Sequence, residues 1–578
     1  MSVEDDFRIR PGRIRSSKAQ RARPFIAQAL AATQRAGGSI SRQGRIGKQR
    51  SRFGKGQRAT VQANHLITSH SRGAVVKARV VRNSGRGSPL ATHLTYLRRE
   101  GVTWDGEKAQ LFGPDSDRTD PKEFAERCEG DRHHFRFIIS PDDATEMSDL
   151  RSFTRDLVAQ MQKDLDTKLD WAGVAHWNTE HPHIHLIVRG VRDDGENFVI
   201  ARDYIKEGMR DRARDLITQE LGHRTEQDIR RELERQIASE RWTTLDRQLM
   251  RDMTAAGVID LTPLPSRQPD GFHALKVGRL RKLEALGLAE EVGAGQWKLS
   301  DKAEATLRAL GERGDIIKRI HRGLCASSVE RNAGSYVLAG ESLGDPIIGR
   351  LVDRGLDDEL KGTAYAVVDG VDGRTHHVRL PDLDAASDGA LGSIVELRKF
   401  YDVRGTPRVA LAVRSDLSIN EQVTTSGATW LDRQAVARTP TPLGSGGFGA
   451  EVRDAMQQRA AFLVREGLGE SQSQGVRFKP GLIETLQRQE LDALGKWLAK
   501  ETGLTFAPLK PADHISGTYR QRFALASGRF AMISDGLGFQ LVPWSPSLEK
   551  HLGQQVSGIS RDTGGIDWSF ARKRGLGL

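Results

Sequence analysis

The stretch that most constrains this chain is GVAHWNTEHPHIHLIV, residues 173–188. Side chains alternate across a strand, so Val174 and His176 lie on the face opposite Ala175 and Trp177. Pro182 favours a turn and restricts His181 to extended backbone. A second strand then runs through HIHLIV, where His183 and His185 share one face while Ile184, Leu186 and Val188 point to the core. Folding the two strands as a hairpin sets His176 beside that pair. Three imidazoles on one spot are the layout of a catalytic metal site with a position left open for a substrate oxygen. A single strand histidine is more often a satisfied core group. Here four of the sixteen histidines fall within residues 176–185, and three of them are in phase. His133/His134 and His376/His377 read as pairs that are not ligands.

Charge is the second constraint. The 578 residues carry 88 Lys+Arg and 76 Asp+Glu, a net +12. Residues 1–60 hold 15 basic and 3 acidic residues, so the whole excess sits there. The segment 1–72, poor in large apolar residues, reads as a disordered basic arm. Such an arm suits a nucleic-acid partner through counterion release, or serves only as a solubilising tail. No apolar run reaches 18 residues, and the N-terminus lacks an apolar signal region, which excludes a membrane span and points to a cytoplasmic protein. Cys128 and Cys325 alone exclude a disulfide scaffold or a cysteine cluster. The length predicts roughly three to five domains. We place them at 73–225, 226–330, 331–438 and 450–578, with a Pro/Gly/Ser-rich linker at 439–449.

The segment HWNTEHPHIHLIV resembles the histidine-triad motif of MOBP-type conjugative relaxases, mobilization nucleases that include the T-DNA border endonucleases. HLTYLRREG (93–101) is similar to the helix that carries the nucleophilic tyrosine in that family, with Tyr96 in its place. HFRFIISP (134–141) resembles the family's central strand, which ends in a serine-containing turn at Ser140, and Leu150, Phe153, Leu157, Met161 and Leu165 form the stripe of the helix that follows. The resemblance covers residues 73–225. It implies an α/β fold, the HUH-endonuclease ferredoxin-like sandwich with an antiparallel sheet. It also implies nicking of one DNA strand at an origin of transfer, with a covalent 5′-phosphotyrosyl intermediate. His176, His183 and His185 would hold a divalent metal ion, Mg2+ or Mn2+. Partners would be the origin DNA, accessory relaxosome proteins and a type IV coupling protein.

The residues suit that chemistry on their own terms. A tyrosine hydroxyl, with an ordinary pKa of about 10, needs a cation at the phosphate to act near neutrality. Arg98 and Arg99 give Tyr96 a basic setting, and His181 and Ser140 are further candidates to touch DNA. One departure matters. Family members often carry acids two and four residues after the first triad histidine, where this chain has Asn178 and Glu180. Asn178 cannot take a proton, so if an acid accepts the Tyr96 proton it is Glu180 or one from elsewhere, and the general base stays unassigned.

Downstream, residues 202–222 predict a helix whose Lys206, Arg210, Arg212 and Arg214 either track phosphate or form a solvated face. Residues 276–310 read as helix, hairpin and helix, an order that resembles a winged helix, with Lys276, Arg279, Arg281 and Lys282 on or near a recognition helix. A small helical spacer is the alternative. The segment 363–380 predicts a β-hairpin, the last domain is α+β, and a basic tail, RKRGLGL, ends the chain. A Walker-A motif is absent, which excludes that kind of nucleotide-hydrolysing motor. The competing functions are a rolling-circle replication initiator, a non-enzymatic DNA-binding protein and a small-molecule metallohydrolase.

Overall fold

The alternation that sets the histidines on one strand face also builds the sheet around them. The computed structural model describes residues 71–570 except 84–88, 100–101, 104, 106, 178–180, 255–256, 263–271, 339–345, 402–404, 474 and 562–564. Residues 1–70 of the basic arm and the tail from residue 571 lie outside the described residues, while Arg72, placed at the end of that arm, is instead buried and paired with Asp143 at 2.8 Å. The fold is mixed α/β with antiparallel sheets, in two compact units, Met1–Gln236 and Ile237–Leu578. Among the described residues no helix is long and apolar enough to cross a membrane.

The first unit contains a four-stranded antiparallel sheet in the order β1-β2-β4-β3, formed by β1 (Ala74–Arg82), β2 (His133–Pro141), β3 (Trp171–His176) and β4 (His183–Arg189). Helices α1 (Pro89–Leu97) and α2 (Pro121–Cys128) lie between β1 and β2 in the chain; α3 (Leu150–Leu165) follows β2, and α4 (Met209–Leu221) follows β4. One sheet face offers Phe135, Phe137, Ile139, Ile184, Leu186 and Val188, which pack with the predicted stripe of α3 and with Met209, Ala213 and Ile217 of α4. The other face packs Ala172, Val174 and Ile187 against Leu90, Leu94 and Leu97 of α1 and Phe124 of α2. Asp149 caps α3, accepting from the Arg151 and Ser152 amides. Arg212 departs from its predicted surface role. It is buried against Asp164 of α3, at 2.8 Å, and Tyr204 donates to the same carboxylate.

The second unit contains a structural duplication. In the first copy come α5 (Thr244–Asp252), β5 (Val258–Asp260), α6 (His273–Ala285), the hairpin β6 (Ala289–Gly293)–β7 (Gln296–Leu299) and α7 (Ala303–Ala326). The helix–hairpin–helix order expected for 276–310 is therefore present. A six-stranded sheet follows, built from β8 (Tyr336–Leu338), β9 (Ile347–Asp358), β10 (Thr363–Gly370), β11 (Thr375–Leu380), β12 (Ile394–Tyr401) and β13 (Pro407–Ser415). In the second copy come α8 (Trp430–Ala435), α9 (Gly447–Arg465), the hairpin β14 (Gly469–Gln472)–β15 (Gly475–Phe478) and α10 (Leu482–Thr502). Its six strands are β16 (Thr505–Phe506), β17 (His514–Leu525), β18 (Gly528–Ser534), β19 (Gly538–Pro543), β20 (Gln555–Ser560) and β21 (Ile566–Ser569). The sheet orders, β13-β12-β9-β10-β11-β8 and β21-β20-β17-β18-β19-β16, correspond strand for strand. Among the described residues of each sheet, only the pair formed by the first and fourth strands is parallel.

The duplication extends to individual bonds. A Thr–Asp capping box opens α5 (Thr243, Asp246) and α8 (Thr429, Asp432). The Asp of each box is bound in bidentate fashion by a buried arginine, Arg279 or Arg459. Each guanidinium also reaches three carbonyls, those nine, seven and five residues before its aspartate: Ile237, Ser239 and Arg241 in one copy, Val423, Thr425 and Gly427 in the other. Leu288 and Leu468 close the helix ends alike, donating at 2.8 Å to Leu283 and Leu463.

Two expectations change here. Arg279 is not on a DNA-facing surface; it is fully buried because it staples α6 to the loop before α5. The segment 439–449 is not a loose linker either. Gly444 donates to the Val371 carbonyl at 2.7 Å, Phe448 is fully buried, and α9 begins at Gly447. A Cβ on Gly449 would lie 2.3 Å from the Val371 oxygen, so glycine there permits close backbone packing.

Candidate functional site

The β3–β4 register pairs His176 directly with His183 and Val174 with His185. Period-two alternation then points all three imidazoles to the face that carries α1 and α2. They are buried, at 0%, 9% and 3% exposure for His176, His183 and His185. Ring centroids stand 5.3 Å (176–183), 4.4 Å (176–185) and 5.0 Å (183–185) apart. One nitrogen from each ring lies within 4.8 Å of the others, and the Nε2 atoms of His183 and His185 approach to 3.2 Å.

Two backbone carbonyls fix the rings. A carbonyl can only accept, so His183 carries its proton on Nδ1, donating to the His181 carbonyl at 3.0 Å. That leaves Nε2 as its lone-pair nitrogen, directed at His185. His176 donates from Nε2 to the Leu97 carbonyl at 2.7 Å, which makes Nδ1 its lone-pair nitrogen. The second bond ties the triad to the end of α1, where Tyr96 is the adjacent residue.

Tyr96 is half-buried, and the Arg99 guanidinium sits 4.3 Å from the centre of its ring. Arg98 is half-buried and donates to the Ala109 carbonyl at 3.3 Å. Ser140, near the end of β2, donates to the Pro182 carbonyl at 3.3 Å and so braces the turn before His183. His181 is exposed and acts on the triad through its carbonyl. Asn178 and Glu180 lie outside the described residues. The structure thus brings Tyr96, Arg98, Arg99, Ser140 and the three histidines onto one hairpin and the elements bonded to it. The three positions on α6 are elsewhere in the chain: Arg279 is buried, Lys282 pairs with Glu240 at 3.0 Å, and Arg281 is exposed.

The other histidine pairs have ordinary partners. His134 accepts from Arg136 at 3.0 Å and bonds Asn83; burial first, and then the Arg136 charge, pushes it down to about 3. His377 is pushed down to about 4 by burial and by Arg319, and His376 bonds the Asp372 carboxylate at 2.9 Å. The Leu97 carbonyl could not have been picked out by sequence reasoning, since no side chain announces it. The same holds for a cleft of about 280 Å3 beside Ala175 and Trp177, lined also by Gln110, Asp149 and Arg151.

A protein-family model described as "Protein of unknown function (DUF3363)" matches residues 276–404 and 398–577. No curated protein and no solved structure matches the chain.

Proposed function

The chain belongs to the DUF3363 family through its C-terminal half, and we propose that its N-terminal unit is a relaxase-type DNA strand transferase of the HUH-endonuclease class. The observation that carries the reading is the 2.7 Å bond from His176 to the Leu97 carbonyl, which couples three converging imidazoles to the residue next to Tyr96. An antiparallel sheet with α3 and α4 on one face and the histidines on the other is compatible with the ferredoxin-like sandwich that the motifs imply.

One nitrogen from each ring, the three lying within 4.8 Å of one another, is positioned to fit a small divalent ion. The Nε2 atoms of His183 and His185 lie 3.2 Å apart, near enough to serve one ion together. Bound there, Mg2+ or Mn2+ would supply positive charge to the non-bridging oxygens of a scissile phosphate. The chain's own residues do the rest. The Tyr96 hydroxyl oxygen forms a bond to phosphorus and loses its proton, the bond from phosphorus to the 3′ oxygen breaks, and that oxygen is protonated as it leaves. The 5′ phosphate stays on Tyr96, and because the ester retains the bond the strand can be rejoined. Arg98 and Arg99 place positive charge where the DNA backbone approaches. On this reading the partners are the origin DNA, accessory relaxosome proteins and a type IV coupling protein, and the work is done in the cytoplasm during conjugation of a plasmid or integrative element.

The test is incubation with fluorescent single-stranded oligonucleotides tiling the DNA beside the protein's own gene, with Mn2+. A labelled adduct that survives denaturing electrophoresis is expected for the unaltered chain and is expected to vanish in Tyr96→Phe. An adduct of undiminished yield in Tyr96→Phe would overturn the assignment of the nucleophile.

A further inference from the structure

The duplication offers an internal control. Whatever the six-stranded sheet needs is present in both copies, so a feature built in one copy alone calls for another reason. Such a feature stands at β12–β13. Among the described residues β12 pairs with β9 through Ile394–Leu397, whereas its pairing with β13 continues to Tyr401↔Pro407. Residues 398–401 and 407–410, among those described, therefore run on as a two-stranded arm past the last β9 pair. In the second copy β20 pairs with β17 from Gln555 to Ile559, Ser560 is still bonded to Asp513 and Ala512 just before β17, and among the described residues only the bond from Arg561 to Gly565 lies past that. The arm is thus an addition to the first copy.

Its composition is equally specific. Phe400 is 44% exposed and Tyr401 71%, and Arg398, Lys399 and Arg408 are also exposed. Cross-strand pairing sets Phe400 against Arg408, so Arg398, Phe400 and Arg408 share one face while Lys399 and Tyr401 share the other. Each face thus carries both cationic and aromatic side chains. The described arm residues, 398–401 and 407–410, hold three basic residues and no acid. Tyr401 adds little to stability, because folding removes little of its surface from water. Phosphates need the cations, and unstacked bases supply ring faces for the aromatics. In a duplex the bases are already stacked on one another, so the rings have nothing to cover.

We propose that the β12–β13 arm is a binding site for single-stranded DNA. That the polymer is DNA rests on the strand-transfer reading; the stacking and charge chemistry stands apart from it.

The experiment uses the full chain and a thymidine 30-mer in which some bases are replaced by 5-bromodeoxyuridine. After irradiation and trypsin digestion, a cross-link is expected on the peptide that starts at Phe400. In anisotropy titrations the double variant Phe400→Ala/Tyr401→Ala is expected to bind the 30-mer about 10-fold more weakly and the matching duplex less than about 2-fold more weakly. The variant Arg398→Gln/Lys399→Gln should flatten the slope of log K against log salt by about 1.4. Unchanged affinity without a cross-link at that peptide would overturn the proposal. So would equal losses for single strand and duplex, or binding to phosphatidylserine vesicles that depends on the two rings while oligonucleotide binding does not. Cross-linking is read independently of the Tyr96 adduct: an arm that cross-links in a chain that never nicks leaves the arm standing and removes the nuclease.

Discussion

Buried polar groups are treated oppositely in the two units. In the second unit each buried guanidinium is closed off: five hydrogen bonds join Arg279 to Asp246 and three carbonyls, and five equivalent ones hold Arg459. In the first unit three buried imidazoles turn ring nitrogens toward one another while carbonyls occupy the opposite nitrogen of His176 and of His183. Burial is the same in both places. A buried charge whose hydrogen bonds are complete is part of the framework. Buried ring nitrogens that converge are, on the proposed reading, where an ion would be held.

The comparison can be broken first at the staples. Removing one partner of a buried ion pair leaves the other charge uncompensated, so Asp246→Ala and Asp432→Ala should each destabilise the second unit by about 3–5 kcal/mol. Hydrogen exchange across the unit and urea unfolding measure this, and the two copies should agree within about 1 kcal/mol. The paired replacement Arg459→Met/Asp432→Leu should recover most of the loss, since it removes both charges. Loss of one staple with no effect from the other would end the structural equivalence.

Acid provides a second test. Burial holds His377 neutral in the fold, down to about 4, whereas the unfolded chain binds a proton near 6.5. The folded value is the lower one, so stability is full above pH 6.5 and falls as pH drops toward 4. By linkage the loss at His377 is at most about 3 kcal/mol, and His377→Gln should make the decline shallower. A third test is Gly449→Ala. Its Cβ would meet the Val371 carbonyl, and a cost of about 1–3 kcal/mol is expected in thermal unfolding. The smallest effect belongs to the first unit. His181 serves the triad through its backbone carbonyl, so His181→Ala should leave ion affinity within about 2-fold, since a change under 0.5 kcal/mol is expected at such a surface position.

How far the sequence could be read follows from where each signal lies. The hairpin that groups the histidines was legible because strand alternation is local, and so was the apolar stripe of α3. Arg279 was misread because its helix shows basic residues at helical spacing while its partner, Asp246, is 33 residues away. Residues 439–449 misled for a different reason. Glycines that make a loose tether and glycines that let two backbones touch have the same composition. The duplication left one readable trace, Thr-x-Leu-Asp-Arg-Gln at 243–248 and again at 429–434. The rest of its likeness lies in strand order and backbone bonds.

The central claim is that the converging imidazoles hold an ion while the closed staples hold only the fold. The most direct measurement is Mn2+ binding to the full chain, followed by titration calorimetry and by electron spin resonance for nitrogen coupling. The account predicts a nitrogen-coordinated ion that is lost in His183→Ala/His185→Ala and retained in Tyr96→Phe. A nitrogen-coordinated Mn2+ of unchanged affinity in the double histidine variant would contradict it.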